Sequence, residues 1–300
     1  MYDANLLCDR LRELNIERNA PMRSYTTFRI GGNADVMLHP GSSSDIIKAI
    51  TEALACGAPY HVIGNGSNLL VRDGGIRALV IRIGEDMAGI EQDGPVFRVG
   101  AGCLLSSFAK ETINRGFMGM EWATGIPGTV GGAVAMNAGA YGGEIKQVLK
   151  SVNAVVDLKQ ADLTVNDADM GYRRSAFSAP GCIVCSAVFE LKPDDGHAAD
   201  REAEYRLRRR AKQPLSYPSA GSVFKRPAGY FAGSLIENAG LKGTRIGDAE
   251  VSELHAGFII NRGKASAKDV LSLIELVKIA VREHSGVTLE PEIVILGEDA

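Results

Sequence analysis

Apolar residues recur along this chain in two rhythms, one of period near 3.6 and one of short unbroken runs. Helical spacing places Leu6, Leu7, Leu11 and Leu14 on one face of a predicted helix over 4–14. A second helix is predicted over 46–56, opened by Ser42-Ser43-Ser44-Asp45 and stopped at Gly57. A third, over 104–115, ends at Gly116, a common residue just past a helix. Further helices are expected over 194–212, 229–238 and 266–285. The last opens on the capping-box pattern Ser266-x-x-Asp269 and carries Val270, Ile274, Val277 and Val281 at helical spacing. Apolar runs bounded by turn residues predict strands at 36–38, 60–63, 79–83, 96–99, 152–158, 183–191, 257–260 and 287–296. The polar helix 194–212 gathers Arg206, Arg208, Arg209, Arg210 and Lys212 near its C-terminal end. Cations there complement the helix dipole, so a solvated face is the simplest account. The turn QPLSYPSAGS at 213–222 reads as a boundary between modules.

One stretch follows neither rhythm. In GMEWATGIPGTVGGAVAMNAGAYGG, 119–143, glycine stands at eight positions and no charge falls between Glu121 and Glu144. Clustered main-chain amides can hold a diphosphate without side-chain charge, so the segment reads as the seat of a large phosphate-bearing cofactor. A glycine-rich loop with packing duties only is the alternative. A second loop, GNGSNL at 64–69, begins like a dinucleotide fingerprint but has Leu69 where a third glycine belongs. Gly263-Lys264 lacks the rest of a Walker A motif, with Ala265 after it and Phe258 at the glycine position, and there is no GxSxG. The loops 64–68 and 125–132 together could wrap opposite ends of one extended dinucleotide.

Length and charge narrow the class. Three hundred residues suit two or three packed modules. A formal net charge of −3 argues against a general nucleic-acid binder. Charges through the first fourteen residues leave no signal-peptide core, and no apolar run approaches a membrane span. The expectation is a cytoplasmic protein with no nucleic-acid and no membrane partner. Five scattered cysteines offer no disulfide framework; Cys182-Ile-Val-Cys185 lacks a second ligand pair and reads as structural thiols. Five histidines without ligand spacing read as packing or surface residues, and no metal is expected.

Several long motifs share one resemblance. TTFRIGG at 26–32, GNGSNLL at 64–70, IPGTVGGAVAMNAGAYGGEI at 126–145, YRRS at 172–175, PSAGSVFKRP at 218–227, AGLKGTRIGDAEVSELHAGFIIN at 239–261 and LEPE at 289–292 occur in order. Together they resemble the UDP-N-acetylenolpyruvoylglucosamine reductase family, in its shorter subtype. The resemblance implies an α+β fold: a PCMH/vanillyl-alcohol-oxidase-type FAD-binding domain of two α+β subdomains, 1–85 and 86–212. A smaller α/β substrate-binding domain, 213–300, would follow, its C-terminal strand free to return to the FAD-binding part. It also implies non-covalent FAD, NADPH as co-substrate, a small nucleotide-sugar substrate and a monomer or weak oligomer. With no His or Cys in 64–75 or 119–143, the residues agree with a dissociable flavin. The implied reaction is reduction of FAD by NADPH, then hydride transfer from flavin N5 to C3 of the enolpyruvyl group. A proton added at C2 completes UDP-N-acetylmuramate for peptidoglycan. Two rivals stay open: an oxygen-using FAD oxidase of the same fold and a non-catalytic flavin or nucleotide-sugar binder.

Carried onto this sequence, the resemblance marks Arg173, Ser222 and Glu292 as catalytic. Hydride addition at C3 drives charge onto the carboxylate, which a permanently cationic, fork-shaped Arg173 suits. A Glu292 kept neutral by burial could donate a hydrogen bond beside it. Ser222 can protonate C2 if Lys225 or an ordered water stabilises its alkoxide, help worth about two to four powers of ten. Taken singly, Arg173 with Arg174 could be an exposed pair, Ser222 a turn hydroxyl and Glu292 a strand-edge charge. Expected FAD contacts are Gly64, Asn65, Gly66, Ser67, Asn68 and Leu69, then Gly125, Ile126, Pro127, Gly128, Thr129, Gly131 and Gly132. Asn137, Gly139 and Tyr141 extend the set, and Arg209 either reaches the flavin or stays on the solvated helix face. Lys212 and Arg226 are expected toward the substrate's diphosphate or sugar, with Tyr172 flanking Arg173. Spacing alone assigns none of these to adenine, diphosphate or isoalloxazine.

Overall fold

A computed structural model describes residues 2–166 and 169–300. Its helices are α1 (Ala4–Arg10), α2 (Ser43–Ala55), α3 (Leu105–Asn114), α4 (Val130–Ala135), α5 (Ala198–Lys212), α6 (Ala232–Asn238) and α7 (Ala267–Ser285). With the strands between them they make an α+β protein. The chain divides into two compact units. Unit 1 holds Met1–Arg18, Val36–Asn65 and Ala78–Arg208; unit 2 holds Asn19–Asp35, Gly66–Arg77 and Arg209–Ala300.

Unit 1 is built on a five-stranded antiparallel sheet in the order Lys159–Thr164, Leu149–Val156, Cys182–Glu190, Val96–Gly100, Ile90–Asp93. Alternation decides its inner face: in Val96–Gly100, Phe97 and Val99 are fully buried while Val96 and Arg98 are exposed. Phe97, Phe108 and Phe189 meet in the core, with ring centroids 5.9 Å and 5.0 Å apart along that series. Full burial of each such ring stabilises by about 1.5–3 kcal/mol. The parallel pair Tyr60–Ile63 and Ile76–Arg82 sets Tyr60 opposite Leu79. α2 starts where its sequence foretold: Ser42 accepts from the Asp45 N–H at 3.2 Å and the Asp45 carboxylate returns a bond to the Ser42 N–H at 3.1 Å. Cys182 and Cys185 lie in a sheet strand, and burial pushes both thiols up, as expected of structural cysteines.

Unit 2 packs α6 and α7 with an antiparallel sheet of Arg245–Ile246, Ala249–Val251 and Ile259–Asn261. α7 buries Val270, Leu273, Ile274, Val277 and Val281, the stripe its spacing predicted. Its first turn is satisfied twice over. Ser266 and Asp269 form the capping box, and the Asp73 carboxylate accepts from the N–H groups of Ala267 and Lys268 at 2.9 and 3.0 Å. The C-terminal strand Val294–Leu296 pairs in parallel with Leu69–Val71.

Some elements depart from the spacing. α1 stops at Arg10, and Leu6 is exposed while Leu7 and Leu11 carry the buried face. α5 begins four residues past the predicted start, because the Asp194 side chain accepts the Ala198 N–H at 3.0 Å and so caps it there. The predicted strand 287–296 shrinks to Val294–Leu296, since Pro291 has no N–H to give a ladder and makes only a single bridge with Phe224. α4, inside the glycine-rich segment, escapes propensity reasoning because glycine ranks low as a helix former. The strands Ile16–Pro21, Leu69–Val71, Lys159–Thr164 and Ala249–Val251 are additions to the predicted set.

Candidate active site

In unit 1 the two glycine-bearing loops meet directly. The Asn65 side-chain amide donates to the Pro127 carbonyl at 2.6 Å. A Cβ on Gly64 would overlap the Thr129 hydroxyl, so only glycine lets the turns close to this distance. Gly128 to Gly131 are fixed from behind: the Leu105 N–H reaches the Gly128 carbonyl at 2.9 Å, and the N–H groups of Val130 and Gly131 reach Cys103 and Ala101 at 2.8 Å each. Thr129 caps α4, accepting from the Gly132 N–H at 3.3 Å. Gly125 and Pro127 stay exposed on the same turn.

A buried charge holds the ends of the segment. Glu121 is 5% exposed, accepts the Gly119 N–H at 2.7 Å and pairs with Arg201 of α5 at 2.7 Å. Arg201 also grips Asp195 through two bonds of 2.9 Å. The hydrogen bond to Glu121 is the main reason the Arg201 pKa is raised. Four residues along α5, Tyr205 stacks on Tyr141 with centroids 4.7 Å apart and rings nearly parallel. Sequence reasoning missed Glu121, Arg201 and Tyr205. The available signal was that Glu121 is the acid bounding the charge-free stretch; Arg201 was hidden among the charges of a solvated helix.

Asn137, one of the residues expected against the cofactor, is 1% exposed and bonded on each side. Its amide donates to Glu144 and to the Gly171 carbonyl, both at 3.0 Å, and its oxygen accepts the Lys146 N–H at 3.0 Å. It clips the segment to the hairpin that carries Arg173. That hairpin pairs Met170 with Ser175 and Gly171 with Arg174, leaving Tyr172 and Arg173 at its tip. Arg173 is half-buried, donates to the Gly139 carbonyl at 3.2 Å and lies 5.1 Å from the exposed Tyr172 ring. Asn137, Tyr141 and Arg173 have φ of 42°, 53° and 54°, a left-handed conformation that costs non-glycine residues about 1–3 kcal/mol and concentrates at functional sites.

Unit 2 joins the rest of the first loop to the other two catalytic candidates. The Asn68 amide donates to the Glu292 carbonyl at 3.1 Å, and the Val294 N–H to the Asn68 carbonyl at 2.9 Å. The Glu292 N–H donates to Val223, next to Ser222, at 2.7 Å. Ser222 itself bridges Phe258, and the Val223 N–H reaches Gly257 at 2.9 Å. Gly66 packs its backbone on residues 25 and 26 so closely that a Cβ would overlap the Tyr25 carbonyl oxygen. Ser222 is exposed and Glu292 half-buried. Lys225 is exposed and pairs with Glu290 at 3.2 Å. Arg226 stacks over Phe231 at 3.9 Å, its Nε donating to the Tyr230 carbonyl at 3.4 Å. Lys212 ends α5 exposed, and Arg209 is half-buried in the same last turn. His255 is half-buried; its Nδ1 accepts the Gly257 N–H at 3.1 Å, and burial lowers its pKa.

Chemically, unit 1 brings two glycine-bearing turns together in a stretch without side-chain charge, an arrangement that fits the diphosphate of a dinucleotide. Unit 2 offers a hydroxyl and a carboxyl on hydrogen-bonded neighbouring segments. Residues 34–159 match an FAD binding domain family, and residues 213–296 match the UDP-N-acetylenolpyruvoylglucosamine reductase C-terminal domain. Fold and site thus define an FAD-binding oxidoreductase. Among similar proteins, the UDP-N-acetylenolpyruvoylglucosamine reductases of Agathobacter rectalis and Clostridium novyi are 48% and 46% identical. The alignments cover 97% and 95% of this chain and 96% and 93% of theirs. The crystal structure of the corresponding reductase from Thermus caldophilus superposes with a TM-score of 0.83 at 37% identity, covering 95% of this chain and all of that one. The chain belongs to the UDP-N-acetylenolpyruvoylglucosamine reductase family.

Proposed function

We propose that Arg173, Ser222 and Glu292 carry the reduction of UDP-N-acetylglucosamine enolpyruvate to UDP-N-acetylmuramate in peptidoglycan precursor synthesis. The chain is a flavin-dependent oxidoreductase of that pathway, using FAD and NADPH. Gly64, Asn65 and the turn 125–132 would hold the cofactor's diphosphate, and bound FAD supplies the hydride for C3 of the enolpyruvyl group. Arg173 then faces the substrate carboxylate as it gains charge, a permanent cation where negative charge develops. Ser222 Oγ passes its proton to C2, and Lys225, exposed nearby in sequence on the same turn, steadies the alkoxide left behind. Glu292, protonated, donates a hydrogen bond to the carboxylate. Lys212 and Arg226 bind the diphosphate, with the Arg226 guanidinium pre-set by its stack on Phe231. A cytoplasmic location is supported by five free cysteines, as a reducing compartment would keep them; among the described residues no helix is long and apolar enough to cross a membrane.

The observation that carries this reading is the chain of hydrogen bonds in unit 2 from the first glycine loop through Asn68 to the Glu292 backbone and on to Val223 beside Ser222. It ties the first glycine loop to the segment that carries Ser222. The test is the anaerobic half-reactions of Ser222→Ala, followed by the flavin's visible absorption. Reduction by NADPH should keep its rate while reoxidation by the enolpyruvyl nucleotide slows by about two powers of ten or more. Equal loss in both halves would remove Ser222 from the proton transfer.

A further inference from the structure

The TTFRIGG motif, 26–32, has no part in the chemistry above, yet the structure sets it at the junction of two functional loops. The Thr27 N–H donates to the Gly66 carbonyl, in the first glycine loop, at 3.3 Å. The Thr27 hydroxyl donates to the Ser219 carbonyl, three residues before Ser222, at 2.7 Å. One residue therefore bonds to both loops, from its main chain on one side and its side chain on the other. Its neighbours reinforce the arrangement. Phe28 is fully buried, and its carbonyl accepts from the Asn261 amide at 3.2 Å. Asn261 is 3% exposed: its N–H goes to the Pro218 carbonyl at 2.9 Å, and its side-chain oxygen accepts from the N–H groups of Gly263 and Ala265 at 2.8 and 3.1 Å. The turn 217–219 is thus held at consecutive carbonyls, Pro218 by Asn261 and Ser219 by Thr27. Arg262 covers the preceding Tyr217 ring at 4.6 Å.

We infer that Thr27 is a positioning residue for the reduction, fixing the separation between the cofactor loop at Gly66 and the proton donor Ser222. This rests on the role given to Ser222 above. Thr27 itself touches no reacting atom. Its hydroxyl closes a bond to the Ser219 carbonyl that a side-chain change opens while leaving the Thr27 main chain alone. The Gly66 contact runs through the Thr27 N–H, so removing the hydroxyl loosens the Ser222 side and spares the flavin side. Proton delivery to carbon needs the donor at a defined distance, and a displacement near 1 Å can cost about a hundredfold.

The decisive variants are Thr27→Val, which keeps the shape and loses the hydroxyl, and Thr27→Ser, which keeps the hydroxyl. Both are studied as holoenzyme in anaerobic half-reactions beside Ser222→Ala. Thr27→Val should reoxidise with the enolpyruvyl nucleotide roughly tenfold more slowly, and its reduction by NADPH should be unchanged. Thr27→Ser should recover most of the lost rate. A purely structural role would slow both half-reactions together or leave the rates untouched at lowered thermal stability, and either result overturns the inference. If Val proves unstable, Thr27→Ala supplies the same comparison. Should Ser222→Ala slow reoxidation while Thr27→Val does not, only the positioning role fails. Should Ser222→Ala also be silent, the reading of the site fails first and the inference goes with it.

Discussion

The glycine-rich segment of unit 1 and the Ser222 turn of unit 2 face the same problem, holding an irregular backbone in one shape; both use neutral bonds to main-chain carbonyls, and they differ in what they do with fixed charge. The first is locked by a buried ion pair, Glu121 with Arg201, placed at the edge of a stretch that is otherwise free of charge. The second is locked by neutral bonds to main-chain carbonyls from Thr27 and Asn261, with its charges, Lys225 and Arg226, left exposed. The difference suits the roles proposed above. A loop meant to grip a diphosphate would be spoiled by an unpaired carboxylate beside it, and here that carboxylate is paired off with Arg201. A loop meant to offer a hydroxyl beside an anionic nucleotide would gain from solvent-facing cations, and here Lys225 and Arg226 are exposed.

Three substitutions separate these cases. The largest effect belongs to Gly64→Ala, whose methyl would overlap the Thr129 hydroxyl and prise the two loops apart. The purified protein should be colourless or lose flavin on gel filtration; full retention of FAD at wild-type affinity would show that the loops do not need this contact. Next is Glu121→Ala. It takes away one of the carboxylates that Arg201 grips, leaving Asp195 on a side chain that is 30% exposed, and leaves the Gly119 N–H without its acceptor. A loss of about 2 kcal/mol in urea unfolding is expected, below the full cost of breaking a buried pair. Loosened FAD binding should accompany it, whereas an equivalent polar deletion in the Ser222 turn should spare the flavin. The smallest effect is pH dependence at His255. Burial, aided by Lys242 and Lys212, holds its folded pKa below the usual 6.5. The unfolded chain therefore takes up a proton below about pH 6.5 that the folded chain refuses. Stability present above that pH is lost as pH falls toward the folded value. His255→Asn keeps an acceptor for the Gly257 N–H and cannot titrate, so its stability curve should be flatter than wild type between pH 7.5 and 5.5. Parallel curves would refute the assignment.

Much of the helical scaffold was readable in the chain. α2, α3 and α7 declare themselves through caps, a terminal glycine and an apolar stripe, all of which are local properties. The strand Tyr60–Ile63 was read to the residue because its flanking turns are sharp. Short strands such as Ala249–Val251, and α4 within its glycines, carry too little local preference to be recognised before their partners are in place. The candidate site divides the same way. The two glycine-bearing loops were legible as a pair, and the structure brings Gly64 and Asn65 against Pro127 and Thr129. That Asn137 would spend its amide on Glu144 and Gly171, or that Arg201 would leave a solvated helix face to neutralise Glu121, was not legible.

By itself the sequence determined the placement of α2, α3 and α7, most of the apolar positions that are buried, and which chemical groups are available, because these depend on neighbours within a few residues. Only the tertiary structure decided which of those groups meet. Thr27 and Ser219 are separated by 192 positions, and Asn68 and Glu292 by 224, yet each pair is joined by one hydrogen bond. Such contacts form only after packing has offset the entropy of closing long loops, so no local pattern announces them.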